Sequence, residues 1–257
     1  MKFTLLGSGA VGGVPLYGCT CPACVRARAV KDFVRRPASA LFEAGGLRIA
    51  LDAGLTDFGQ RFDPCTPGGG LDAVLLTHYH MDHVAGLFEM RWGKGRVLPV
   101  HGPLDVEGCA DLFKHPGLLD FSHSLEPFAQ LEWGGTRITA LPLIHSRPTL
   151  GYFIQHDGLN IAYLTDTVGL PQETKGFLKA HRPDLMVLDC SHPPRDAPPR
   201  NHNDIRLALG IHQSIQPGET WLTHIGHDLD NWLMQNPDAL PAHIKMARDG
   251  WVWRSVL

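Results

Sequence analysis

The segment spanning residues 71–86, LDAVLLTHYHMDHVAG, concentrates side chains that commonly bind metal ions. A strand-like apolar run is followed by His78, His80, Asp82 and His83. Side chains two positions apart project to the same side of an extended chain, so His78 and His80 can hold one ion. The turn that follows brings Asp82 and His83 beside them, where they can hold a second ion. An H-x-H-x-D-H pattern arises rarely by chance, and it predicts a metal site here.

Three later apolar runs each end in a further candidate ligand. LPLIH ends in His145, AYLTD in Asp166 and WLTH in His224. Alone, such a residue is more often a capping or hydrogen-bonding group, but together with the first cluster these three predict a shared centre at several strand ends. A carboxylate such as Asp166 can bridge two ions, which a neutral imidazole cannot. Histidine and carboxylate ligands suit zinc, manganese or iron, and the spacing does not choose among them.

Three cysteines form a second candidate metal site. Cys19, Cys21 and Cys24 lie within six residues, C-T-C-P-A-C, which is typical of zinc sites. Structural zinc needs a fourth ligand, and His227, three residues after His224, completes the set. The alternative is a group of half-buried loop cysteines. The other three cysteines, at 65, 109 and 190, have no such neighbours and are interpreted as core or surface residues.

Strand-like and helix-like segments alternate in a way that indicates the fold class. The strand-like runs cover residues 2–6, 47–52, 72–77, 136–142, 150–155, 160–165, 184–190 and 219–223. The helix-like stretches lie near residues 22–36, 84–91, 171–181 and 203–213. Pro37 is expected to end the first helix. Strands cluster early and in the middle, whereas helices alternate with strands late, which predicts an αβ/βα sandwich of two sheets with outer helices.

The length of 257 residues predicts one domain over residues 1–257. The chain is 44% hydrophobic and 19% charged, as in ordinary globular proteins, and its net charge is −3. The sequence has no cluster of basic residues of the kind that binds nucleic acid, and no apolar run reaches the length of a membrane span. We expect a cytoplasmic protein with reduced cysteines. The sequence does not fix the oligomeric state, and a homodimer is one alternative.

Three other patterns are interpreted as structural. Gly7-x-Gly9-x-x-Gly12 with Asp32 matches a dinucleotide-binding fingerprint, but Pro15 and the cysteine cluster occupy the place of the required helix. Asp52, in IALDAG, either binds metal or braces a loop through hydrogen bonds, and we favour the second role. The tryptophans at 221, 232, 251 and 253 are expected to pack in the core or an interface rather than to form a stacking platform.

Several longer sequence words surround these residues: LTHYHMDHVAGLF, DLFKHPGLLDFSH, LDCSHPP, PRNH and LTHIGH. The metal motif and these words resemble the metallo-β-lactamase superfamily and, within it, the phosphodiesterase family of the carbon–phosphorus lyase pathway. Enzymes of that family open 5-phosphoribosyl 1,2-cyclic phosphate in phosphonate catabolism. The resemblance runs over nearly the whole chain.

The resemblance implies a role for each candidate residue. One ion is held by His78, His80 and His145, the other by Asp82, His83 and His224, and Asp166 bridges them. It implies manganese at this centre and a structural zinc that clips the N-terminal loop, about residues 13–36, through Cys19, Cys21, Cys24 and His227. It also makes His202, of PRNH, a catalytic residue that acts on the substrate.

The sequence-based functional hypothesis is therefore hydrolysis of a small cyclic phosphodiester to ribose 1,5-bisphosphate by a metal-activated hydroxide, with His202 protonating the leaving oxygen. Arg195 and Arg200 flank the proline-rich loop HPPRDAPPR and could hold a phosphate, although solvated loop arginines are commoner. The alternatives are a tRNA 3′-processing endonuclease or a lactone or thioester hydrolase of the same superfamily. A scaffold or zinc-storage protein would leave the open dinuclear centre unexplained.

Overall fold

The computed structural model describes residues 1–197 and 199–254. Pro198, within the proline-rich loop, and the last three positions of the predicted domain lie outside the described residues. Along the chain the elements are β1 (Lys2–Gly7), α1 (Pro22–Ala29), β2 (Ser39–Ala44), β3 (Leu47–Leu51), α2 (Phe58–Arg61), β4 (Ala73–Leu75), α3 (Met81–Val84), α4 (Leu87–Met90), β5 (Leu98–Pro103), α5 (Ala110–Lys114), β6 (Leu119–Leu125), β7 (Gln130–Trp133), β8 (Thr136–Pro142), β9 (Leu150–His156), β10 (Leu159–Leu164), α6 (Gln172–His181), β11 (Leu185–Asp189), α7 (Ile205–Ile215), β12 (Glu219–Thr223), α8 (His227–Gln235), β13 (Ile244–Met246) and β14 (Val252–Arg254).

The strands form two mixed sheets of seven strands each. Their spatial orders are β14-β1-β2-β3-β4-β5-β6 and β13-β12-β11-β10-β9-β8-β7. Strands β3 to β6 run parallel in the first sheet, and β10 to β13 run parallel in the second. Parallel neighbours place their carboxyl ends at one edge of a sheet, so each sheet has one edge at which several loops converge.

Three apolar clusters hold the layers together. The central cluster joins Phe3 and Phe42 of the first sheet to Tyr152 and Tyr163 of the second. A second cluster packs the first sheet against α2 to α5, and a third packs the other sheet against α6 to α8. The predicted four-layer αβ/βα sandwich is therefore confirmed.

Each predicted strand lies on an observed strand, but the sequence analysis missed six others: β2, β5, β6, β7, β13 and β14. Two of the missed strands, β13 and β14, have three residues each and lie at sheet edges. Another, β5, contains two prolines and a glycine, which weaken any strand signal. Short or proline-containing strands are paired by their neighbours rather than specified by their own pattern.

Two predicted helices have the wrong bounds. The helix expected over 22–36 ends at Ala29, because Val30 is extended; a short 3₁₀ helix, Lys31–Phe33, follows, and the chain is then extended where Arg35 bridges Val14. Pro37 therefore does not end it. The helix expected over 84–91 is two short helices, α3 and α4, separated near Gly86. The turn expected to carry Asp82 and His83 is the single helical turn of α3. The helices predicted near 171–181 and 203–213 are present.

Candidate metal centre

The candidate ligands of the dinuclear centre meet where the loops of the two sheets converge. They follow four strands and lie on one short helix: His78 and His80 after β4, Asp82 and His83 on α3, His145 after β8, Asp166 after β10 and His224 after β12. The first and last are 146 positions apart by their numbers, so the fold and not the local chain brings them together. They divide into two groups.

The first group consists of three histidines. The Nε2 atom of His78 lies 2.8 Å from Nδ1 of His80, and Nε2 of His145 lies 3.2 Å from the same Nδ1. All three nitrogens lie within 4.8 Å of one another. Convergence of three imidazole nitrogens on one point is typical of a metal site that leaves a position for water or substrate.

The second group combines carboxylate and imidazole donors, and its members are buried. The Oδ2 atom of Asp82 lies 3.3 Å from Nε2 of His224 and 3.6 Å from Nε2 of His83. Asp166 completes the group, with all ligand atoms within 4.8 Å of one another. This is a mixed oxygen and nitrogen set that suits a divalent transition metal.

The Asp166 carboxylate faces both groups. Its Oδ1 atom lies 3.8 Å from Nε2 of His78, 3.8 Å from Nε2 of His145 and 3.5 Å from Nε2 of His224. Its Oδ2 atom lies 3.1 Å from Nε2 of His83. The side chain is 2% exposed. Asp166 is thus positioned as the predicted bridge.

One orphaned atom tests whether the residues fit a metal. The Nδ1 atom of His83 lies 2.9 Å from Asp52 Oδ2 and 3.2 Å from the Thr77 hydroxyl, which itself donates to Asp52. Nδ1 therefore carries a proton in either protonation state of the ring, and Nε2 faces the carboxylates of Asp82 and Asp166. Within the described part of the chain this buried Nε2 has no hydrogen-bond partner. A metal ion that takes the place of the Nε2 proton would bind this nitrogen and both carboxylates at once, so the residues fit a metal ion.

Protonation preferences differ between the two groups. Burial lowers the pKa of His78, His80 and His145, with further lowering by neighbouring imidazoles. Burial also opposes the charge of His83 and His224, but the carboxylates, Asp166 foremost, outweigh it. The pKa of His83 is raised well above its usual value, and that of His224 is raised to about 9. The same ion pairs depress the pKa of Asp82 and Asp166 against the effect of burial.

Hydrogen bonds from outside both groups orient the ligands. The Ser191 hydroxyl contacts Nδ1 of His224 at 2.8 Å, and the backbone carbonyl of Asn201 accepts from Nδ1 of His145 at 3.0 Å. Asp52 accepts from the backbone N–H of Thr77 at 2.8 Å, which matches the bracing role favoured for it. The sequence analysis missed Ser191, Asn201 and Thr77 as supporting residues. No spacing rule marks them, because each acts through a neighbour in space.

His202 lies beside the centre and is held by Asp189. Its Nδ1 donates to Asp189 Oδ2 at 2.7 Å, and its ring stacks on that of His224 at 4.6 Å with 12° between planes. Asp189 is fully buried and also accepts from the backbone N–H of Asn203. Asp166, Asp189, His202 and His224 form a further group close enough to hold an ion. Because Asp189 is engaged by these donors, we interpret it as orienting His202. The sequence analysis missed this aspartate, although it ends β11 as Asp166 follows β10.

The cysteine cluster closes on the first residue of α8. The Sγ atoms of Cys19 and Cys21 lie 3.4 and 3.6 Å from Nδ1 of His227, and Cys24 belongs to the same group. All four ligand atoms are within 4.8 Å of one another, a donor set that fits tetrahedral zinc. Burial raises the pKa of the Cys24 thiol to about 12.

The residues interpreted as structural do not belong to either candidate metal site. Pro22, the first residue of α1, comes ten positions after Gly12, so no helix opens at the glycine pattern. Trp221 is buried between the sheets and contacts Trp251 with ring centroids 5.4 Å apart. Cys190 is buried and Cys65 is exposed. Arg200 is exposed, on the far part of the proline-rich loop.

Two mixed sheets with a paired His/Asp site at their converging edges are the architecture of the metallo-β-lactamase fold. The chain belongs to the β-lactamase superfamily, since residues 47–225 match the β-lactamase superfamily domain. Within the described residues, 1–197 and 199–254, no helix is both long and apolar enough to span a membrane.

Several known proteins are similar to this chain. An octanoyltransferase of Porphyromonas gingivalis is 31% identical over 97% of this chain, but the match covers 51% of that protein, so this chain spans about half its length. The probable metallo-hydrolase YhfI of Bacillus subtilis is 26% identical, covering 83% of this chain and 90% of its own. The crystal structure of a diphosphatase from the PhnP family is 26% identical with a TM-score of 0.79, covering 98% of this chain and 96% of that one.

Proposed function

We propose that this protein is a two-metal phosphodiesterase that opens 5-phosphoribosyl 1,2-cyclic phosphate to ribose 1,5-bisphosphate in phosphonate catabolism. The observation that supports it most is the position of Asp166 between two ligand groups, with His202 beside them. The similarity to a diphosphatase of the PhnP family supports chemistry at phosphorus. The words PRNH and DLFKHPGLLDFSH favour the cyclic substrate over precursor tRNA.

When bound, two divalent ions would supply a hydroxide near neutral pH and neutralise charge on the phosphoryl oxygens. In the proposed reaction the hydroxide oxygen bonds to phosphorus, and the bond from phosphorus to the 2-oxygen of ribose breaks. That oxygen leaves as an alkoxide and needs a proton. His202 is placed to give it, because Asp189 holds Nδ1–H and leaves Nε2 for the substrate. Until that proton is transferred, the Asp189 carboxylate stabilises the positive charge of the protonated His202 ring.

The finer assignments are part of the same proposal. We infer manganese at the dinuclear centre, from the resemblance, and zinc at the cysteine cluster, from its thiolate-rich donor set. That zinc would clip residues 13–36 onto a single domain built around the dinuclear site. We further propose a cytoplasmic protein whose partner is a small-molecule substrate.

A side-by-side assay tests the reaction. The cyclic phosphoribose, a bis-aryl phosphodiester, an aryl phosphomonoester and precursor tRNA are offered to one sample whose metal content is measured. We expect turnover of both small diesters, little turnover of the monoester, whose extra negative charge repels hydroxide, and none of the tRNA. Comparable efficiency on monoester and diester would indicate a phosphatase, and preferred cleavage of tRNA would indicate the endonuclease.

The Asp166→Ala variant tests the dinuclear assignment separately. Loss of the bridging carboxylate should release metal from both groups and abolish turnover. Retention of full metal content and activity would show that the two groups do not share this ligand.

A further inference from the structure

Arg195 has a guanidinium group whose charge no carboxylate neutralises. Its Nη2 donates to Nδ1 of His192 at 2.8 Å. In the described part of the chain it forms no ion pair, even with the adjacent Asp196. A guanidinium has five N–H donors, so most of them are free to bind an anion.

His192 holds Arg195 without cancelling its charge. Because Nδ1 of His192 accepts the hydrogen bond, the ring is neutral and carries its proton on Nε2. Its pKa is lowered by burial and by the nearby Arg195 and His202, which keeps the ring an acceptor near neutral pH. The pair therefore presents one full positive charge and one additional N–H donor.

The backbone around Arg195 is anchored to the start of α7. The backbone N–H of Arg195 donates to Asp204 Oδ2 at 3.2 Å, and Arg206 donates to the carbonyl of Arg195 at 3.2 Å. His192 is bridged to Asp204, and its carbonyl accepts from Ile205. These contacts fix the position from which the arginine side chain starts. A pre-positioned arginine loses less entropy on binding an anion than a solvated loop arginine does.

The pair lies one ring outside the residue proposed to donate the proton. The His192 ring is 6.2 Å from that of His202, whose ring in turn stacks on the metal-group residue His224. The order from the centre outward is thus His224, His202, His192 and Arg195. An anion bound by Arg195 would lie at the outer end of this series of contacts, which links it to the metal groups through His192 and His202.

We propose that Arg195, held by His192, binds a second, non-reacting phosphate of the substrate. Arginine binds phosphate through two parallel N–H donors. In the proposed reaction the metal ions would hold the reacting phosphate, which leaves Arg195 for a second phosphate. The inferred substrate class is a phosphodiester that also carries a phosphomonoester, a feature of the cyclic phosphoribose. This inference rests on the proposed function and makes Arg195 the residue that selects for the 5-phosphate.

Two cyclic substrates that differ only in the 5-phosphate test this selectivity. The substrates are 5-phosphoribosyl 1,2-cyclic phosphate and the same cyclic phosphate without the 5-phosphate. We compare four metal-loaded proteins on both: the parent, Arg195→Ala, Arg195→Lys and the control Arg137→Ala. Arg137 is an exposed arginine that pairs with Glu132 on the β7–β8 hairpin. Arg137→Ala therefore removes one positive charge, as Arg195→Ala does, but at a different place on the protein surface. A charge-assisted hydrogen bond contributes about 1.5–3 kcal/mol, so Arg195→Ala should lower kcat/KM on the phosphorylated substrate about 10- to 150-fold, mainly through KM.

The loss on the substrate without the 5-phosphate should be several-fold smaller, and Arg195→Lys should recover part of the selectivity because it keeps the charge but not the paired donors. Arg137→Ala should match the parent on both substrates. An equal loss on both substrates, or no loss on either, would overturn the proposal, because Arg195 would then act on the loop or not at all.

Direct binding separates a failure of this inference from a failure of the proposed function. Calorimetry with ribose 5-phosphate needs no turnover. Arg195→Ala should weaken that binding at least tenfold relative to Arg137→Ala, even if neither cyclic substrate is hydrolysed. Unchanged affinity would overturn the Arg195 site while leaving the two-metal reaction to be judged by the diester assay.

Discussion

His202 and His224 are stacked neighbours whose hydrogen bonds assign them different work. His224 turns Nδ1 to the Ser191 hydroxyl and Nε2 to Asp82 and Asp166, where a metal ion fits. His202 turns Nδ1 to Asp189, which leaves Nε2 for a substrate atom. Two stacked rings of the same residue type are thus positioned differently, His224 to bind a metal ion and His202 to donate the proton of the proposed reaction, because their carboxylate partners differ.

Replacing His202 with Ala separates proton donation from metal binding. Metal content should stay unchanged, while kcat on the cyclic phosphoribose falls by about 10² to 10⁴, the usual value of general acid catalysis. The loss should be smaller on a bis-aryl diester, because an acidic phenolate leaves without a proton. Steady-state kinetics on both substrates, with metal analysis of each sample, measures this.

Asp189→Asn should shift kcat in the same direction, since it weakens control of the His202 proton. Loss of a metal ion from His202→Ala would make His202 a ligand. A loss confined to KM would make it a phosphate-binding group, and equal kcat losses on both diesters would remove the general-acid role.

The two groups of ligands should bind metal with different pH dependence. In the metal-free protein at pH 7, His224, with a pKa of about 9, is protonated, and so is His83, whose pKa the carboxylates raise well above its usual value. A metal ion must displace those protons, so affinity at this group should rise with pH until about pH 9. His78, His80 and His145 have lowered pKa values and release no proton at pH 7.

Calorimetric titration with Mn²⁺, repeated in buffers of different ionisation enthalpy, measures the protons released. We expect one binding step that releases protons at pH 7 and one that does not. Two steps with identical, pH-independent affinity would contradict the ion pairs that link His83 and His224 to the carboxylates.

At the scale of the elements, the strand ends that carry the site share an unusual backbone conformation. Asp52, Asp166 and His224 follow β3, β10 and β12 and have φ angles of 57°, 60° and 57°. Residues other than glycine rarely adopt this left-handed region, and it costs about 1–3 kcal/mol at each position. The surrounding hydrogen bonds hold these residues there, which directs Asp166 and His224 into the shared centre and Asp52 onto Thr77 and Nδ1 of His83.

Gly54 lets the loop after β3 approach the ligand-bearing helix α3. A Cβ atom on this glycine would lie 1.9 Å from the backbone carbonyl oxygen of Asp82. Gly54→Ala should therefore lower the free energy of unfolding by about 1–3 kcal/mol, as overpacking usually does, and reduce metal retention by displacing Asp82. Denaturant unfolding and metal analysis measure the two effects.

Gly176→Ala is the matched control, because a Cβ at this position in α6 meets nothing within 4 Å. It should leave metal content unchanged and raise stability by up to about 1 kcal/mol, as replacing a helical glycine with alanine does. Equal effects of the two substitutions would show that the close approach at Gly54 does not support the site.

At the scale of the whole molecule, the N-terminal loop is tied to α8 by two kinds of contact. The cysteine cluster reaches His227 at the start of that helix. One turn further on, the buried Asp230 pairs with Arg26 at 2.7 Å and with Arg35 at 2.9 Å. Both contacts join residues about two hundred positions apart and lie next to the metal-group residue His224.

Cys21→Ser should remove bound zinc and lower thermal stability, while activity per folded molecule is largely kept. Structural zinc contributes to folding, whereas the proposed reaction depends on the other metal groups. Metal analysis, thermal unfolding and kinetics on one preparation measure all three quantities. Cys65→Ser, at an exposed cysteine away from the cluster, is the control. If variant and parent were equally stable throughout a chelator titration, the cluster would not be a structural zinc site.

The local pattern of the sequence determined the kinds of residue at the site and most of the strands that carry them. The spacing of His78, His80, Asp82 and His83 is informative because a metal ion needs several donors at once, and a short segment can supply them. Likewise, the short apolar runs of β9 and β10 contain aromatic and β-branched residues, which favour a buried strand over a helix. These features depend on neighbours along the chain and are therefore visible in it.

Only the tertiary structure decided which groups act through others. The sequence does not indicate that Asp189 holds His202, that Ser191 holds His224 or that Arg195 is held by an imidazole, because these partners meet by the register of separate strands and loops. The end of α1 at Ala29 was missed for the same reason, since the extended backbone at Val30 and the later bridge of Arg35 with Val14 outweigh local helix propensity. Residue type and spacing specify the chemistry that is available, whereas packing of the two sheets fixes the orientation and protonation of each group.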